Sequence, residues 1–182
     1  MILIINGSFG VGKTTVARLL RRKLVGSVLY DPEWAGSILK RLPSSLNLRG
    51  AGTDDFQDIE LWRKSVLYGT KIFQSFTRGP VIVPMAFFRR DYFDEIVQGI
   101  HKSNGQLKIY CLKATIATIL ERLEKRGEKI ENGENNWIVR KAQMCVKAHQ
   151  DAHFGEPVNT EGVSASVVVE DILRRLRNNY VG

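Results

Sequence analysis

Short apolar runs alternate with longer amphipathic stretches along the whole chain, and that alternation predicts strands and helices in turn. Ile2–Asn6 reads as a buried strand, and Thr14 to about Leu24 as a helix with Val16, Leu20 and Leu24 on one face. Ser27–Tyr30 is a second strand ending at Asp31-Pro32-Glu33; Glu33–Arg41 follows as a helix and Pro43–Gly52 as a loop rich in Ser, Asn and Gly. Asp54, with Gln57 three residues on, predicts a capping box for a helix reaching about Phe76. Its apolar positions Phe56, Trp62, Val66, Phe73 and Phe76 fit helical spacing. Arg78-Gly79-Pro80 breaks that helix, and Val81–Val83 is the third strand, closed by Pro84. Arg90–His101 is a helix, Gln106–Leu112 a fourth strand, and Thr115–Arg126 a helix ended by Gly127. Trp137–Gln150 is helical, with Trp137, Lys141, Met144, Cys145 and Ala148 roughly in line. Val158–Thr160 is a short fifth strand, and Val168, Val169, Ile172, Leu173 and Leu176 mark the last helix. The expected fold is α/β, a five-stranded parallel sheet with helices on both faces, in one domain spanning residues 1–182.

Composition narrows the function only a little. Hydrophobic residues make up 43% and charged residues 25%, which excludes a disordered or fibrous chain. A net charge of +8 suits an anionic partner, whether nucleotide, nucleic acid or acidic surface. The basic clusters Arg21-Arg22-Lys23 and Arg174-Arg175 have no interleaved aromatics, which argues against a single-strand nucleic-acid groove. No apolar run approaches the roughly 18 residues of a membrane span, and Met1 leads straight into the first strand without a basic n-region, so the expected compartment is the cytoplasm. Cys111 and Cys145 sit far apart in apolar stretches without metal-ligand spacing, and read as a buried, reduced pair.

The chemistry begins at Gly7-Ser-Phe-Gly-Val-Gly-Lys13-Thr14, a GxxxxGK[ST] spacing with an apolar strand before it and an amphipathic helix after it. Glycines at 7, 10 and 12 let successive N–H groups face an anion, and the helix adds its positive end. Lys13 reaches the β- and γ-phosphates of a nucleoside triphosphate, and the Thr14 hydroxyl is placed to ligate Mg²⁺. The candidate nucleotide contacts are Gly7, Phe9, Gly10, Val11, Gly12, Lys13, Thr14 and Thr15, with ATP and Mg²⁺ as expected cofactors. Neither the DxxG nor the N/TKxD run of a GTPase occurs. The strand best placed for a metal-holding acid, Val81–Val83, runs into Pro84-Met85 instead, and Glu170-Asp171 falls on a helical count that turns both acids to solvent.

What remains resembles the small-molecule and nucleoside-monophosphate kinase branch of the P-loop proteins. "INGSFGVGKT", "YDPE", "DDFQ…LWR" and "VIVPM", in this order, resemble the tunicamycin-resistance protein family, and more distantly chloramphenicol phosphotransferase and shikimate- or gluconate-type kinases. The resemblance covers about residues 2–176 and implies ATP binding and resistance to a nucleoside antibiotic. It places Asp31 as the strand-2 carboxylate facing the acceptor, Arg122 and Arg126 as the arginine pair before a lid at about 127–136, and "VNTEGVSAS" as the turn that cradles adenine. Arg126 is then a γ-phosphate clamp and Arg122 a stacker on adenine. The segment "GEKIENGENN" lacks the lid arginines of nucleoside-monophosphate kinases, leaving Lys129 and Arg140 beside that pair as cationic candidates.

Several residues carry two readings. Asp31 is either the base for an acceptor hydroxyl, an aid to Mg²⁺ through water, or a helix N-cap. Glu33 reads as an ordinary first-turn acid, Trp34 and Trp62 as core, and His101, His149 and His153 as structural or surface groups. Arg122 and Arg126 fit a solvated face with Glu121 and Glu124 as well. Arg63 is a candidate for holding the acceptor. Met85 and Phe88, at the start of the Met85–Arg90 stretch past strand three, either floor the acceptor pocket or pack a helix start on the core. The expected partner is a small-molecule acceptor, with the protein a monomer or homodimer. The expected activity is phosphotransfer from ATP, possible substrates including an antibiotic; a drug-sequestering protein without turnover and a nucleic-acid-linked NTPase are the alternatives, and Asp31 separates the first two.

Overall fold

The computed structural model describes residues 1–33, 55–103, 105–130 and 136–178. Strands β1 (Ile2–Gly7), β2 (Val28–Leu29), β3 (Val81–Met85), β4 (Leu107–Lys113) and β5 (Glu156–Asn159) form one parallel sheet in the order β2-β3-β1-β4-β5. The helices are α1 (Lys13–Lys23), α2 (Glu60–Phe76), α3 (Arg90–His101), α4 (Ile116–Glu124), α5 (Trp137–Ala148) and α6 (Ala165–Asn178). The predicted helix at Glu33–Arg41, the loop Pro43–Gly52, Trp34 and the Asp54 cap lie beyond Glu33 within residues 34–54, outside the described residues.

β1 sits at the centre, and its period of two divides the core. Leu3 and Ile5 pack with Val16, Leu20 and Ile172 of α1 and α6 on one face. Ile2 and Ile4 pack with Trp62, Val66, Phe93 and Ile96 of α2 and α3 on the other. Both faces are covered, which is why the strand reads as a continuous apolar run. A smaller cluster of Ile119, Leu123 and Ala142 joins α4 to α5.

Three expectations change. Pro84 does not close β3 but pairs with Ile5 inside it. Val81 N donates to Met1 O and Tyr30 N to Ile82 O; alternation then turns the N of Pro84 toward the β2 side. The β2 ladder ends two positions earlier, at Leu29↔Ile82, so no ladder bond is lost. The helix expected from Asp54 begins at Glu60, after a separate 3-10 turn at Phe56–Asp58. It buries Trp62, Val66 and Thr70, while Phe76, the last residue of the helix, is 85% exposed. Finally, α4 stops at Glu124, so Arg126 lies in the turn after the helix. Glu170 and Asp171 are inside α6, on the count expected of them, and pair with Lys23 and with Arg174 and Arg175. Among the described residues no helix is long and apolar enough to cross a membrane.

Candidate nucleotide and acceptor site

The loop between β1 and α1 is built by close packing. Gly10 takes φ +77°, and a Cβ there would lie 2.8 Å from Leu123 Cγ and 3.0 Å from Ile119 O, so α4 presses directly on the loop. Gly12, at φ +107°, caps α1 and faces open space, the place where a side chain would obstruct a phosphate. Lys13 is 7% exposed; its Nζ donates to Ser8 O at 3.0 Å and sits 5.4 Å from the Phe9 ring centroid. Thr14 occupies the first turn of α1 beside it.

Asn6, fully buried and missed by the sequence reading, holds the ends of the strands together. Its Oδ1 accepts from Gly7 N and Phe87 N at 2.9 Å, and its Nδ2 donates to Phe87 O and Phe154 O. A polar side chain ending an apolar strand was the only signal for it.

On the β4–β5 side of the loop, Arg122 donates from Nη1 to Val11 O (3.2 Å) and Thr160 Oγ1 (3.1 Å), and from Nη2 to Thr160 O (2.7 Å). It ties the phosphate loop to the turn after β5. Arg122 and Arg126 line a groove of about 220 Å³ with Gly12, Thr15, Val163 and Ala165. The two arginines thus share one groove with the loop, and Val163 and Ala165 belong to the "VNTEGVSAS" turn. Of the lid segment, residues 131–135 lie outside the described residues; Lys129 and Arg140 are exposed.

On the β2–β3 side, Asp31 Oδ1 accepts from Glu33 N at 3.1 Å, capping the turn that starts at Pro32. The turn is pinned by Trp62, whose Nε1 donates to Pro32 O at 2.8 Å. Glu33 is a carboxylate within the field of the Lys13 ammonium. Its Oε1 is buried, and this burial raises its pKa above the ordinary carboxylate value. Lys13 pulls it back down, Asp31 and Asp55 push it up, and a hydrogen bond from the Ala86 backbone lowers it. Reading Glu33 as an ordinary first-turn acid is therefore corrected: local helix grammar predicted the turn but not the burial of the head group.

Asp55 and Lys141 complete this wall. Lys141 Nζ lies 2.5 Å from Asp55 Oδ2, both side chains being almost buried, and 4.7 Å from the Phe88 ring centroid and 5.8 Å from that of Trp137. The signal for Lys141 was a cation on the apolar stripe of α5. Gln57 Nε2 donates to Ala86 O, holding the residue whose backbone N–H reaches Glu33.

Two expected acceptor contacts are placed elsewhere. Arg63 donates from Nε to Glu95 (2.6 Å) and from Nη1 to Gln57 O and Asp58 O, and stacks on Tyr92 at 4.3 Å. Its donors hold the 3-10 turn. Met85 is 1% exposed and packs in the core with Trp62 and Phe87, supporting the wall from behind. Phe88 is partly exposed beside Lys141. His149 is structural, as read: buried, with Nε2 2.6 Å from Phe87 O. His153 faces Asp94 at 2.6 Å.

The oxygen donors suit Mg²⁺ better than a soft metal. No group of three or more His, Cys, Asp or Glu converges among the described residues. The Thr14 hydroxyl and Asp31 carboxylate are hard donors of the kind that hold Mg²⁺ together with phosphates and water.

A phosphate loop after the central strand of a parallel β2-β3-β1-β4-β5 sheet, with a buried acid after the edge strand β2, is a P-loop kinase-like fold. The model of the AAA domain family matches residues 2–144, and the chain belongs to that family. It is similar in structure to the tunicamycin resistance protein of Deinococcus radiodurans, with TM-score 0.75 and 23% identity over 96% of this chain and 94% of that one. A gluconokinase from Sinorhizobium meliloti 1021 has TM-score 0.66 and 17% identity, covering 99% and 95%. Shikimate kinase from Bacteroides thetaiotaomicron has TM-score 0.62 and 17% identity, covering 97% and 98%. No curated protein matches the sequence significantly.

Proposed function

We propose that the protein binds ATP with Mg²⁺ and transfers the γ-phosphate to a hydroxyl of a small molecule held on the β2–β3 side of the loop. The observation that carries this reading is Glu33, a buried carboxyl of raised pKa that lies within the field of the Lys13 ammonium. A binding protein has no need of such a base; a kinase does.

In this reading the loop amides and Lys13 hold the β- and γ-phosphates, Arg126 clamps the γ-phosphate and Arg122 stacks on the adenine. Thr14 and, through water, Asp31 hold Mg²⁺, which neutralises charge on the phosphates when bound. Glu33 Oε1 takes the proton of the acceptor hydroxyl, and Asp55, Lys141 and Phe88 form the wall that orients the acceptor. Most of the catalysis is positioning and charge neutralisation. The structural likeness to the tunicamycin resistance protein makes a nucleoside antibiotic a substrate to test first.

The test is an ATP-consumption screen over nucleosides, amino sugars, sugar acids and antibiotics, with Lys13→Ala as control. Charge-assisted bonds to phosphate are worth about 1.5–3 kcal/mol each, so the control should bind ATP roughly 10- to 150-fold more weakly. Tight binding of an antibiotic with no phosphate transfer to any compound would make the protein a sequestering one.

A further inference from the structure

The end of the molecule away from the phosphate loop is where β1, β2 and β3 begin, at Ile2, Val28 and Val81. It carries features that neither the fold nor the proposed reaction uses. Val25, between α1 and β2, is 96% exposed, and Phe76, the last residue of α2, is 85% exposed. No other large apolar side chain among the described residues is as exposed. Their two segments are tied together, because the Thr77 hydroxyl and Gly79 N both donate to Gly26 O. Next to them, a groove of about 510 Å³ is lined by Leu24, Pro80, Leu173 and Leu176.

The same end is basic. Arg21, Arg22 and Lys23 run directly into Leu24-Val25, Arg78 follows Phe76 by two residues, and Arg177 lines the groove. All five cations are exposed. Glu170 is the acid of the groove, and Lys23 lies 2.5 Å from it. Arg21, Arg22, Arg78 and Arg177 make no side-chain hydrogen bond or ion pair among the described residues. Cations in the last turn of a helix answer its dipole, and Arg21 and Arg22 stand there in α1. Arg78 stands outside any helix, and the dipole gives no reason to hold Val25 and Phe76 in water.

We propose that this end docks on an anionic lipid surface, with Val25 and Phe76 entering the headgroup boundary and the four arginines meeting lipid phosphates. Charge selects this occupant. A second copy of the same surface would set its arginines against one another. A nucleic acid would meet the arginines, but phosphate contacts make no use of exposed apolar tips. An anionic bilayer offers both, charge at the headgroups and an apolar layer just beneath them. The phosphate loop, at the other end of β1, stays open to solvent in this pose.

The full chain is floated with vesicles of phosphatidylcholine and phosphatidylserine in equal parts, with phosphatidylcholine alone as control. Binding is expected to the anionic vesicles only, to fall as salt screens the arginines, and to be the same with and without ATP. Arg21→Ala/Arg22→Ala should weaken it about tenfold or more, since each cation near a charged bilayer is worth about fivefold. Phe76→Ser should weaken it about tenfold. All three positions are exposed, so thermal unfolding of the variants should match the parent. Absence of flotation with anionic vesicles, equal binding to phosphatidylcholine alone, or unchanged binding in either variant overturns the proposal. Tighter binding to a duplex oligonucleotide would give the surface to nucleic acid, and a dimer that Phe76→Ser abolishes would give it to a second copy; either result overturns it as well.

Discussion

The two sides of the phosphate loop are built in different ways. On the β4–β5 side, a single arginine, Arg122, reaches two backbone carbonyls and one hydroxyl, joining a loop and a turn that sequence motifs already announce. On the β2–β3 side, the wall is made of charged side chains from three remote segments: Glu33, Asp55 and Lys141. Backbone-directed recognition tolerates surrounding substitutions and suits a nucleotide whose shape is constant. A wall of buried side chains can be rewritten residue by residue, which is what a changing acceptor requires. Under the proposed function, the first side holds the donor and the second sets specificity.

The sharpest break between the two is Glu33→Gln, which keeps the shape of the wall and removes its base. Phosphotransfer should fall by about 10²–10⁴-fold, while ATP affinity measured by calorimetry stays as in the parent. Transfer at the parental rate would move the base elsewhere, with Asp31 first in line.

Lys141→Ala removes the ammonium paired with the nearly buried Asp55 carboxylate, which keeps its bond from Gln57 N, and should cost about 3–5 kcal/mol of stability in urea unfolding. The double variant Asp55→Asn/Lys141→Met should recover most of that loss. A single-variant loss below about 1 kcal/mol would mean that water screens the pair as it does at a surface, and the contrast between the two sides would fade.

His149 touches both the wall, through Phe87 O, and the strand ends, through the Asn6 network. Its ordinary value of 6.5 is lowered to about 4 by burial. The unfolded chain therefore binds the proton more readily between these values, and stability is full above pH 6.5 and declines as pH falls toward 4. The loss is on the order of 3 kcal/mol. Chemical unfolding across this range should show it, and His149→Gln should flatten the slope.

The smallest effect is expected on the β4–β5 side. Arg122→Lys keeps the charge but loses the planar fork that spans Val11 and Thr160. About 1–2 kcal/mol should go, lowering Tm by roughly 3–6 °C, with a matching loss in ATP affinity. A loss of affinity without any change in Tm would show that Arg122 serves the nucleotide alone.

The sheet, its parallel sense and the phosphate loop were legible in the sequence because each rests on short-range rules. The apolar run of β1, the GxxxxGK[ST] spacing and the amphipathic α1 lie within 23 residues of one another. Arg122 and Arg126 were singled out by the resemblance to the kinase branch, which implies an arginine pair before a lid. Pro84 was misread as a terminator because its cost depends on where β2 stops, a fact of pairing rather than of residue type. Phe76 fits the apolar spacing of its helix, yet it is 85% exposed at the helix end, because spacing alone does not fix burial.

The acceptor wall is the tertiary structure's own contribution. Asp31 was legible as a carboxylate after strand two, but its capping bond and the burial of Glu33 belong to a turn that Trp62, thirty residues on, holds at Pro32 O. Arg63 looked available until Glu95 and the 3-10 turn took its donors. Lys141 meets Asp55 across 86 residues, and nothing local to either predicts the pairing. Sequence by itself determined the elements and the phosphate loop, because hydrogen bonding and periodicity act over a few residues. Only the folded chain decided which charges are buried together, because desolvation depends on every segment that closes over them.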